Sequence, residues 1–592
     1  MESNYPAALG SKQWFLRQGT METVACALTA LVYIATLSYG FVYDDVLQIL
    51  QSPALHSWHY LPQYFSSHVL AAIHPGAAGN YYRPFLLLWL RLNYVVFGTD
   101  PAGWHGSTVA CHSLATYLVF RVVEKITADR SVAFAAALLF GVHPVHIESV
   151  AWISGVSDPL MTCFFLGSLL AFLSWRRSSK VRSAVYSLIL FGCALLSKET
   201  AVVLPLLIFV LVSAAPQPDE AAWTGVRRIG HTLRTSTPWF VVALLYLIVR
   251  SWALHGFSHP VVSLSWKQML LTWPAVLWFY TRHFFLPIGL SEFYSLSYVD
   301  RPTGSGFWLP LVKLGIFSVV CLLGIRALVR TRATNRAIVW FTLALIALPL
   351  LPVLDLPSLT MGDIVHDRYL YLPSVGYVLL IALALREIEQ LVASRTVWVS
   401  LVGAAAIALL FAVLTITQQT QWTNDVELYT RGMKSAPDNL TVRDNLANAL
   451  LAANHPEQAI PMYIEVLRRN PNFWRSNYNL GLAYYKTGNP TAAEDYLQKA
   501  IRIDPSDSDE FIYLAVVELQ SKKFAEADQN ARQAIARNPR AQGYHFILGL
   551  IEEALGDRNA ALAALKTEVT EHPDNVAAVA ELQKIESPST LP

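Results

Sequence analysis

The sequence predicts an all-α membrane protein with two parts, a multispanning transmembrane helical domain over residues 1–417 and a helical-repeat solenoid over residues 418–592. Two observations predict the first part: 54% of the 592 residues are hydrophobic, and long apolar stretches recur as far as residue 417. A third observation predicts the second part, because hydropathy falls after residue 418 and a 34-residue period begins.

Charge and cysteine content exclude several classes of function. The formal net charge is only +2, so no basic field predicts a nucleic-acid partner. The five cysteines lie in apolar stretches without metal-site spacing, which predicts small core residues and no disulfide framework. Lys12 and Arg17 precede the apolar run from Met21 to Phe41, which lacks a small-residue cleavage pattern. We therefore expect an uncleaved signal anchor.

Eleven apolar stretches have the length and composition of membrane spans. Two further stretches, 84–97 and 266–287, are interrupted by charged residues and are predicted to be interfacial helices. The eleven predicted spans lie near residues 22–40, 105–124, 131–149, 159–175, 183–197, 200–214, 237–254, 307–328, 337–352, 369–386 and 396–417.

The basic residues between the spans predict the orientation of the domain. If the two interfacial segments do not cross the membrane, nearly every short loop that is rich in Lys and Arg falls on one side of it. By the positive-inside rule that side is cytoplasmic. The other side then carries the repeats and the outer loops; if either interfacial segment spans, the later loops invert. The outer loops are 41–104, 150–158, 255–306 and 353–368, and the basic loops contain Lys12, Arg17, Lys125, Arg130, Arg176, Arg177, Lys180, Arg182, Arg227, Arg228, Arg234, Arg326, Arg330, Arg332, Arg336, Arg386 and Arg395.

Three residue types recur in phase after residue 418. A proline recurs every 34 residues, and so do a leucine and an alanine, as in tetratricopeptide repeats. We predict full repeats over about 439–572, a preceding half unit over 426–435 and a capping helix over about 575–586. The recurring residues are Pro437, Pro471, Pro505, Pro539 and Pro573, then Leu446, Leu480, Leu514 and Leu548, then Ala459, Ala493, Ala527 and Ala561.

Stacked helix pairs of this kind form a concave surface that usually holds an extended peptide or another protein. We therefore expect a protein or peptide acceptor or partner at the repeats. Tyrosines such as Tyr478 and Tyr513 are candidates to line this surface, although aromatic residues at helical spacing belong to the core more often.

Asp44 and Asp45 form a double carboxylate directly after the first apolar run. Two adjacent negative charges at the end of a span are costly to hold near hydrocarbon, so they predict chemistry at the membrane face. The alternative is a solvated loop start or a helix N-cap on residues 45–51.

Further ionisable residues fall on the same predicted face. They include potential bases, phosphate-binding cations and supporting groups, and ionisable groups at this depth are functional candidates. Arg83 and Arg368 have the alternative of snorkelling to headgroups, and Lys198 with Glu199 that of a simple interfacial ion pair. The candidates are Arg83, His143, His146, Glu148, Asp158, Lys198, Glu199, Arg368 and Tyr369.

A divalent metal is one hypothesis for part of this set. His143, His146 and Glu148 lie close in sequence, but the two histidines are three residues apart across a proline and no fourth ligand is evident.

The candidate residues include a carboxylate that can act as a base and an arginine, and both are predicted to lie at the membrane surface. These are the groups that sugar transfer from a polyprenyl phosphate requires. The lipid tail would lie in the bilayer while arginine stabilises the departing phosphate. A carboxylate would take the proton from an acceptor hydroxyl, which attacks the anomeric carbon from the opposite side and inverts it. Because Asp44 and Asp45 repel each other, one can be the base and the other its orienter.

The motifs Tyr43-Asp44-Asp45, Tyr82-Arg83-Pro84, Ser197-Lys198-Glu199, the segment 143–155 and the segment 368–374, followed by the repeats, resemble those of the transmembrane and tetratricopeptide repeat-containing O-mannosyltransferases. That family belongs to the GT-C membrane glycosyltransferases. The resemblance implies a GT-C-type fold, dolichyl-phosphate mannose as donor and Ser or Thr acceptors in the eukaryotic secretory pathway.

The resemblance also implies roles for individual residues. Asp44 and Asp45 match the acidic pair, Asp158 the second acidic position, and Arg368 the arginine at the donor phosphate. Independently of the resemblance, the positive charges of Arg83 and Lys198 make them further phosphate-binding candidates. The sequence has Gly155-Val156-Ser157 where the family commonly has an arginine before its acidic residue, so one positive charge is missing.

The short repeat array is typical of a bacterial relative, for which undecaprenyl phosphate would be the lipid and the sugar is open. The expected location is then a bacterial inner membrane with site and repeats in the periplasm, or an endoplasmic reticulum membrane with luminal repeats if the protein is eukaryotic. Two alternatives stay open: the same donor chemistry on a lipid or cell-wall glycan, and a membrane-anchored scaffold without activity.

Overall fold

The computed structural model describes residues 19–74, 79–215, 225–302, 304–330, 336–359, 364–392 and 398–587. Helices and turns make up this part of the chain, which contains no β-strand, so the predicted all-α class is confirmed. The signal-anchor charges Lys12 and Arg17, and the loop arginines Arg332 and Arg395, lie outside the described residues.

The chain divides into two compact units, Met1–Ser435 and Ala436–Pro592. The division falls later than the predicted boundary after residue 417. The reason is that residues 418–435 pack against the first unit: the buried Trp422 stacks on Trp152, and Leu428 belongs to the same apolar cluster. The helix Asp425–Ser435, predicted as a half repeat, is therefore part of the first unit.

Six helices among the described residues are long and apolar enough to cross a membrane, or seven if one pair bent by 52° counts as a single span. Neither segment predicted to be interfacial is among the six. The six are Ile153–Ser178, Gly225–Ala253, Ser305–Arg326, Arg336–Leu354, Asp367–Leu391 and Val399–Trp422, and the bent pair is Arg130–Gly141 with Pro144–Ala151.

The first unit is built from these helices and several shorter ones. Proline begins a number of them, where its missing N–H costs nothing. The α-helices are Thr20–Val32, Pro53–His56, Leu61–Ser66, Pro84–Phe97, Pro101–Thr127, Arg130–Gly141, Ile147–Ala151, Ser157–Ser178, Val181–Ser197, Leu204–Ala214, Gly225–Ala253, Trp266–Phe285, Ser305–Arg330, Arg336–Ala347, Tyr371–Leu391, Trp398–Gln418 and Asp425–Ser435.

Two of the predicted spans are shorter helices than their apolar runs suggest. The run 22–40 forms the α-helix Thr20–Val32 and then a 3₁₀ turn, where the Thr36 hydroxyl donates to the Tyr33 carbonyl at 2.8 Å. The run 200–214 begins as a 3₁₀ turn after Lys198, whose backbone is extended. The second break lies directly beside the candidate site residues Lys198 and Glu199.

Close helix packing sets the core of the first unit. A Cβ on Gly141 would lie 1.9 Å from the Thr29 hydroxyl oxygen, and one on Gly376 would lie 2.8 Å from the Thr342 carbonyl oxygen. Small residues at such crossings let backbones approach, as in other membrane helix bundles.

Over its described residues, 436–587, the second unit contains four helix pairs and a final helix. The helices coincide with the predicted repeats, and the recurring leucine and alanine positions are buried, for example Leu480 and Ala493. The helices are Leu440–Ala452, Pro456–Arg469, Trp474–Lys486, Pro490–Ile503, Ser508–Gln520, Phe524–Arg537, Tyr544–Leu555, Arg558–Glu571 and Val576–Glu586.

Candidate active site

Asp45 is fully buried and serves as an acceptor for its neighbours. Its Oδ1 accepts from the Ser154 hydroxyl at 2.6 Å and from the Ser154 backbone N–H at 2.9 Å. Its Oδ2 accepts from the Val42 N–H at 3.3 Å. These contacts join the first outer loop to the turn before the helix Ser157–Ser178, so Asp45 fixes the geometry of the acidic pair.

Asp44 points to a different environment, because it is half-buried and lines a cavity. Its Oδ2 accepts from the Gln48 amide at 3.1 Å. The residue before it, Tyr43, has a φ of 56°, which is rare for a side chain of this size. Strained backbone of this kind clusters at functional sites, and here it directs one carboxylate inward and the other to the cavity.

The cavity has a volume of about 190 Å³ and mixes polar with aromatic walls. It brings together four of the sequence-predicted site residues, Asp44 and Arg83 from the outer loop 41–104 and Arg368 and Tyr369 from the end of the outer loop 353–368. The lining residues are Tyr43, Asp44, Gln48, Val69, Leu70, Tyr81, Arg83, Leu86, Trp152, Ser154, Ser358, Leu359, His366, Arg368 and Tyr369.

Arg368 lines this cavity and contacts two buried glutamates, Glu148 and Glu292. Its Nη1 donates to Glu148 Oε1 at 2.6 Å and lies 3.3 Å from Glu292 Oε1, while its backbone N–H donates to Glu148 Oε2 at 3.0 Å. The guanidinium also lies over the Trp152 ring, 5.3 Å from its centroid. Glu148 therefore supports Arg368, and the arginine is held with one face to the cavity.

Arg83 forms a two-pronged ion pair with Glu199. Its Nε and Nη2 donate to the two carboxylate oxygens at 3.0 and 2.5 Å, and its guanidinium lies over the Tyr81 ring. Glu199 thus accepts two of the five N–H donors of a residue predicted to bind phosphate.

Lys198 and Asp158 form a buried ion pair with each other and do not line the cavity. Lys198 Nζ lies 2.7 and 2.8 Å from the two Asp158 oxygens, and both side chains are almost fully buried. Burial lowers the pKa of Lys198, and the Asp158 carboxylate opposes that shift. The structure therefore places a predicted catalytic acid and a predicted phosphate-binding cation in one internal pair.

We predict that Lys198→Met alone lowers the free energy of unfolding by about 3–5 kcal/mol, because it leaves the Asp158 carboxylate buried without a cation. The double variant Lys198→Met with Asp158→Leu should recover most of this loss. Thermal unfolding in detergent of both single variants and the double variant checks the prediction. Additive losses in the double variant would contradict it.

His143 and His146 lie in the aromatic interior, away from the cavity lining. His143 Nδ1 accepts from the Val145 N–H at 3.3 Å, and its ring contacts Phe411. His146 Nε2 lies 2.8 Å from the Ser374 hydroxyl. The two histidines are helix-cap and core residues here.

Among the described residues, the group that could hold a metal ion is Glu148, Glu292 and His366, whose donor atoms lie within 4.8 Å of one another. In this structure Glu148 therefore groups with Glu292 and His366, and the hypothesis of a metal site at His143, His146 and Glu148 stays a prediction. The Arg368 guanidinium lies between the two carboxylates, so it supplies the positive charge that a metal ion would bring.

Tyr369 also borders a second cavity of about 300 Å³. This cavity shares Tyr81, Ser358 and Leu359 with the first one, and Glu199 and Arg250 also line it. Its remaining wall combines Val202, Tyr246, Leu247, Phe257, Pro352 and Val353 with the polar residues Asn80, Thr200, Ser258 and Asp355. A cavity with mixed polar and aromatic walls therefore adjoins one whose wall surface is mostly apolar.

Burial raises the pKa of Asp45 to about 7, from an ordinary value of 3.8. Between about pH 4 and pH 7 the folded state then holds a proton that the unfolded chain releases, so the free energy of unfolding falls as pH rises, by at most about 1.4 kcal/mol per pH unit. We predict that Asp45→Asn loses this dependence. Thermal unfolding of both proteins across this pH range is the measurement, and parallel pH profiles would contradict the prediction.

Sequence reasoning missed Ser154, Glu292 and Tyr81. Ser154 lies inside the motif segment 143–155, but its hydroxyl becomes informative only when its distance from Asp45 is known. Glu292 lies in the long outer segment 255–306, directly before Phe293 and Tyr294. A carboxylate directly before two aromatic residues is the feature of the sequence that could have identified Glu292 as a site residue.

Comparisons with known proteins agree with the motifs. Residues 82–255 match the family described as dolichyl-phosphate-mannose-protein mannosyltransferase, and residues 445–508 and 514–576 match tetratricopeptide repeats. The crystal structure of MamA, 21% identical, aligns with 25% of this chain and 87% of its own at a TM-score of 0.24.

Curated relatives extend the similarity over most of the chain. Protein O-mannosyl-transferase TMTC3 of Mus musculus is 26% identical, covering 87% of this chain and 60% of its own. Protein O-mannosyl-transferase F38B6.6 of Caenorhabditis elegans is 25% identical, covering 76% and 63%. The chain thus spans about 60% of the length of these relatives. The resemblance to the transmembrane and tetratricopeptide repeat-containing O-mannosyltransferases is confirmed.

Proposed function

We propose that this protein transfers a sugar, mannose by its resemblance, from a polyprenyl phosphate to Ser or Thr hydroxyls of a polypeptide, with inversion at the anomeric carbon. One observation carries the proposal: a single cavity presents the half-buried Asp44 carboxylate and the Arg368 guanidinium. A general base and a phosphate-binding cation are what the reaction requires.

In the proposed reaction, the Asp44 carboxylate accepts the proton of the acceptor hydroxyl. The hydroxyl oxygen forms a bond to the anomeric carbon as the bond from that carbon to the phosphate oxygen breaks. The polyprenyl phosphate leaves with the electron pair, and Arg368 stabilises its added negative charge. Asp45 stays on Ser154 and orients its neighbour.

The two adjoining cavities suit a donor with a polar head and an apolar tail. The sugar and phosphate would occupy the cavity that contains Asp44 and Arg368, and the first isoprene units would enter the mostly apolar one beside Tyr246 and Val353. Tyr369 borders both cavities and would lie beside the phosphate.

The repeat unit would bind the acceptor polypeptide, since stacked helix pairs commonly bind peptides. We assign the site and the repeats to the periplasmic side of a bacterial inner membrane. The basic loops support this side by the positive-inside rule. No cofactor is part of the proposed reaction, whose positive charge comes from Arg368.

The test uses purified full-length protein in lipid nanodiscs with a panel of radiolabelled polyprenyl-phosphate sugars and a Ser/Thr-containing peptide. We expect label from the mannose donor to appear on the peptide with wild type and not with Asp44→Asn. Label on lipid or wall glycan alone would favour the alternative acceptor, and no transfer from any donor would overturn the proposal in favour of a scaffold.

A further inference from the structure

The stretch that follows the last apolar helix, residues 418–435, contacts residues 32–43, which lead into the first outer loop, at three successive points. The Gln419 amide donates to the Val32 carbonyl at 3.0 Å. The Gly40 N–H donates to the Thr423 carbonyl at 3.3 Å, and the Tyr43 N–H donates to Asp425 Oδ1 at 2.8 Å. We call residues 418–435 the bracing segment, because it follows the loop up to the acidic pair.

The last of these contacts coincides with the strained backbone. Tyr43 has a φ of 56°, and its N–H points at the Asp425 carboxylate. A left-handed conformation is costly for a residue with a Cβ and persists only where its surroundings enforce it. Asp44 is the next residue, so a relaxation of Tyr43 would move the carboxylate that lines the cavity.

Aromatic packing connects the bracing segment to the same loop. The buried Trp422 stacks on Trp152, with ring centroids 5.7 Å apart. The Tyr43 ring lies against Trp152 and Phe293, and Tyr429 of the bracing segment stacks on Phe293. These rings limit the tilt of Tyr43, while the Asp425 hydrogen bond fixes its backbone.

Asp425 does not line the cavity and forms no ion pair with any residue that the structure describes. Its observed contact with Tyr43 uses one acceptor oxygen. To hold Tyr43 in place, residue 425 therefore needs an acceptor oxygen but no negative charge. A role of Asp425 in catalysis or in charge balance would instead require the charge, so the two kinds of role can be distinguished.

We propose that Asp425 is a positioning residue for the reaction: by accepting the Tyr43 N–H it maintains the left-handed turn that presents Asp44 to the cavity. The inference rests on the proposed function, because it assigns a partner to the proposed base. It makes the bracing segment a part of the active-site architecture.

The test measures kcat and KM of full-length protein in nanodiscs with polyprenyl-phosphate mannose and the acceptor peptide. Misplacing a reacting group by about 1 Å costs up to about 10²-fold in rate, so Asp425→Ala should lower kcat by about 10- to 100-fold with little change in KM for the donor. Asp425→Asn, which keeps the acceptor oxygen, should restore most of the rate. The matched control is Glu427→Ala, an exposed carboxylate in the first turn of the same helix, which should change neither constant.

Three outcomes decide between the claims. If Asp44→Asn remains active, the proposed function is overturned. If Asp44→Asn is inactive while Asp425→Ala keeps the wild-type kcat, only the positioning role is overturned. Equal losses for Asp425→Asn and Asp425→Ala would also overturn it, since charge and not the acceptor oxygen would then matter.

If Asp425→Ala alone does not accumulate as folded protein, a second comparison in the Tyr43→Gly background tests the proposal. Glycine adopts positive φ without cost, so Tyr43→Gly removes the strain that Asp425 holds in place. In the Tyr43→Gly background, the Asp425→Ala change should lower kcat by less than about threefold, although Tyr43→Gly itself loses ring contacts. A further loss near 10- to 100-fold in that background would overturn the proposal.

Discussion

Asp44→Asn should lower kcat by about 10²–10⁴-fold, the usual contribution of a general base. The substitution keeps the shape of the side chain and its place beside Gln48, so the protein should unfold at the wild-type temperature. The amide cannot accept the proton of the acceptor hydroxyl, and nearby Asp45 cannot replace it because its oxygens face Ser154 and Val42. Single-turnover transfer with labelled donor measures the effect.

Asp300→Asn is the matched control for this prediction, because Asp300 is an exposed carboxylate of the outer segment 255–306 that accepts a hydrogen bond from the Gln268 amide at 2.8 Å. It should leave transfer unchanged. A residual rate above about a tenth of wild type in Asp44→Asn, with intact folding, would remove Asp44 from the role of base.

Arg368→Ala should have the second-largest effect, on both transfer and stability. Transfer should fall by about 10²–10³-fold, because the departing phosphate loses its cation. The free energy of unfolding should fall by about 3–5 kcal/mol, because Glu148 and Glu292 then share a buried site without the guanidinium. Transfer assays and thermal unfolding in detergent measure the two effects.

Arg368→Ala with Glu292→Gln separates the two effects. Removing one carboxylate should recover part of the stability without recovering transfer. Arg282→Ala, at an exposed position of the helix Trp266–Phe285, is the control and should alter neither quantity. Recovery of transfer in the double variant would contradict a role of Arg368 at the phosphate and would make its role structural.

The repeat unit could be predicted closely because its signal is local. Each 34-residue period contains the leucine and alanine positions that pack within one helix pair and against its neighbour, so counting along the chain is sufficient. The division between the units was harder to predict. Residues 426–435 lie directly before the in-phase Pro437 and are therefore predicted as a half repeat, whereas the stacking of Trp422 on Trp152 and the burial of Leu428 in the same cluster show that they pack with the first unit.

The site was predictable as a set of residues but not as an arrangement. The acidic pair, Arg83 and Arg368 stand out because charges are unusual at span ends. Which aspartate faces inward depends on Ser154, which is 109 positions away along the chain, and the sequence carries no measure of that distance. Lys198 and Asp158 were assigned separate roles for the same reason, since their mutual pairing arises only from folding.

The number of spans was also difficult to predict from apolar length alone. The eleven predicted stretches include the run 200–214, which the structure divides between a 3₁₀ turn and the helix Leu204–Ala214. Lys198 follows the end of the helix Val181–Ser197, and its side chain pairs with Asp158. The chain then forms the 3₁₀ turn Glu199–Val203, so regular α-helix resumes only at Leu204.

The anomeric configuration of the transferred sugar tests the central claim most directly. With a β-linked polyprenyl-phosphate mannose as donor, a single displacement assisted by Asp44 places the hydroxyl oxygen on the opposite face, so the purified glycopeptide should contain α-linked mannose when examined by NMR. A β-linked product would instead require a covalent sugar intermediate on the protein. That result would contradict Asp44 as a base acting on the acceptor in one step.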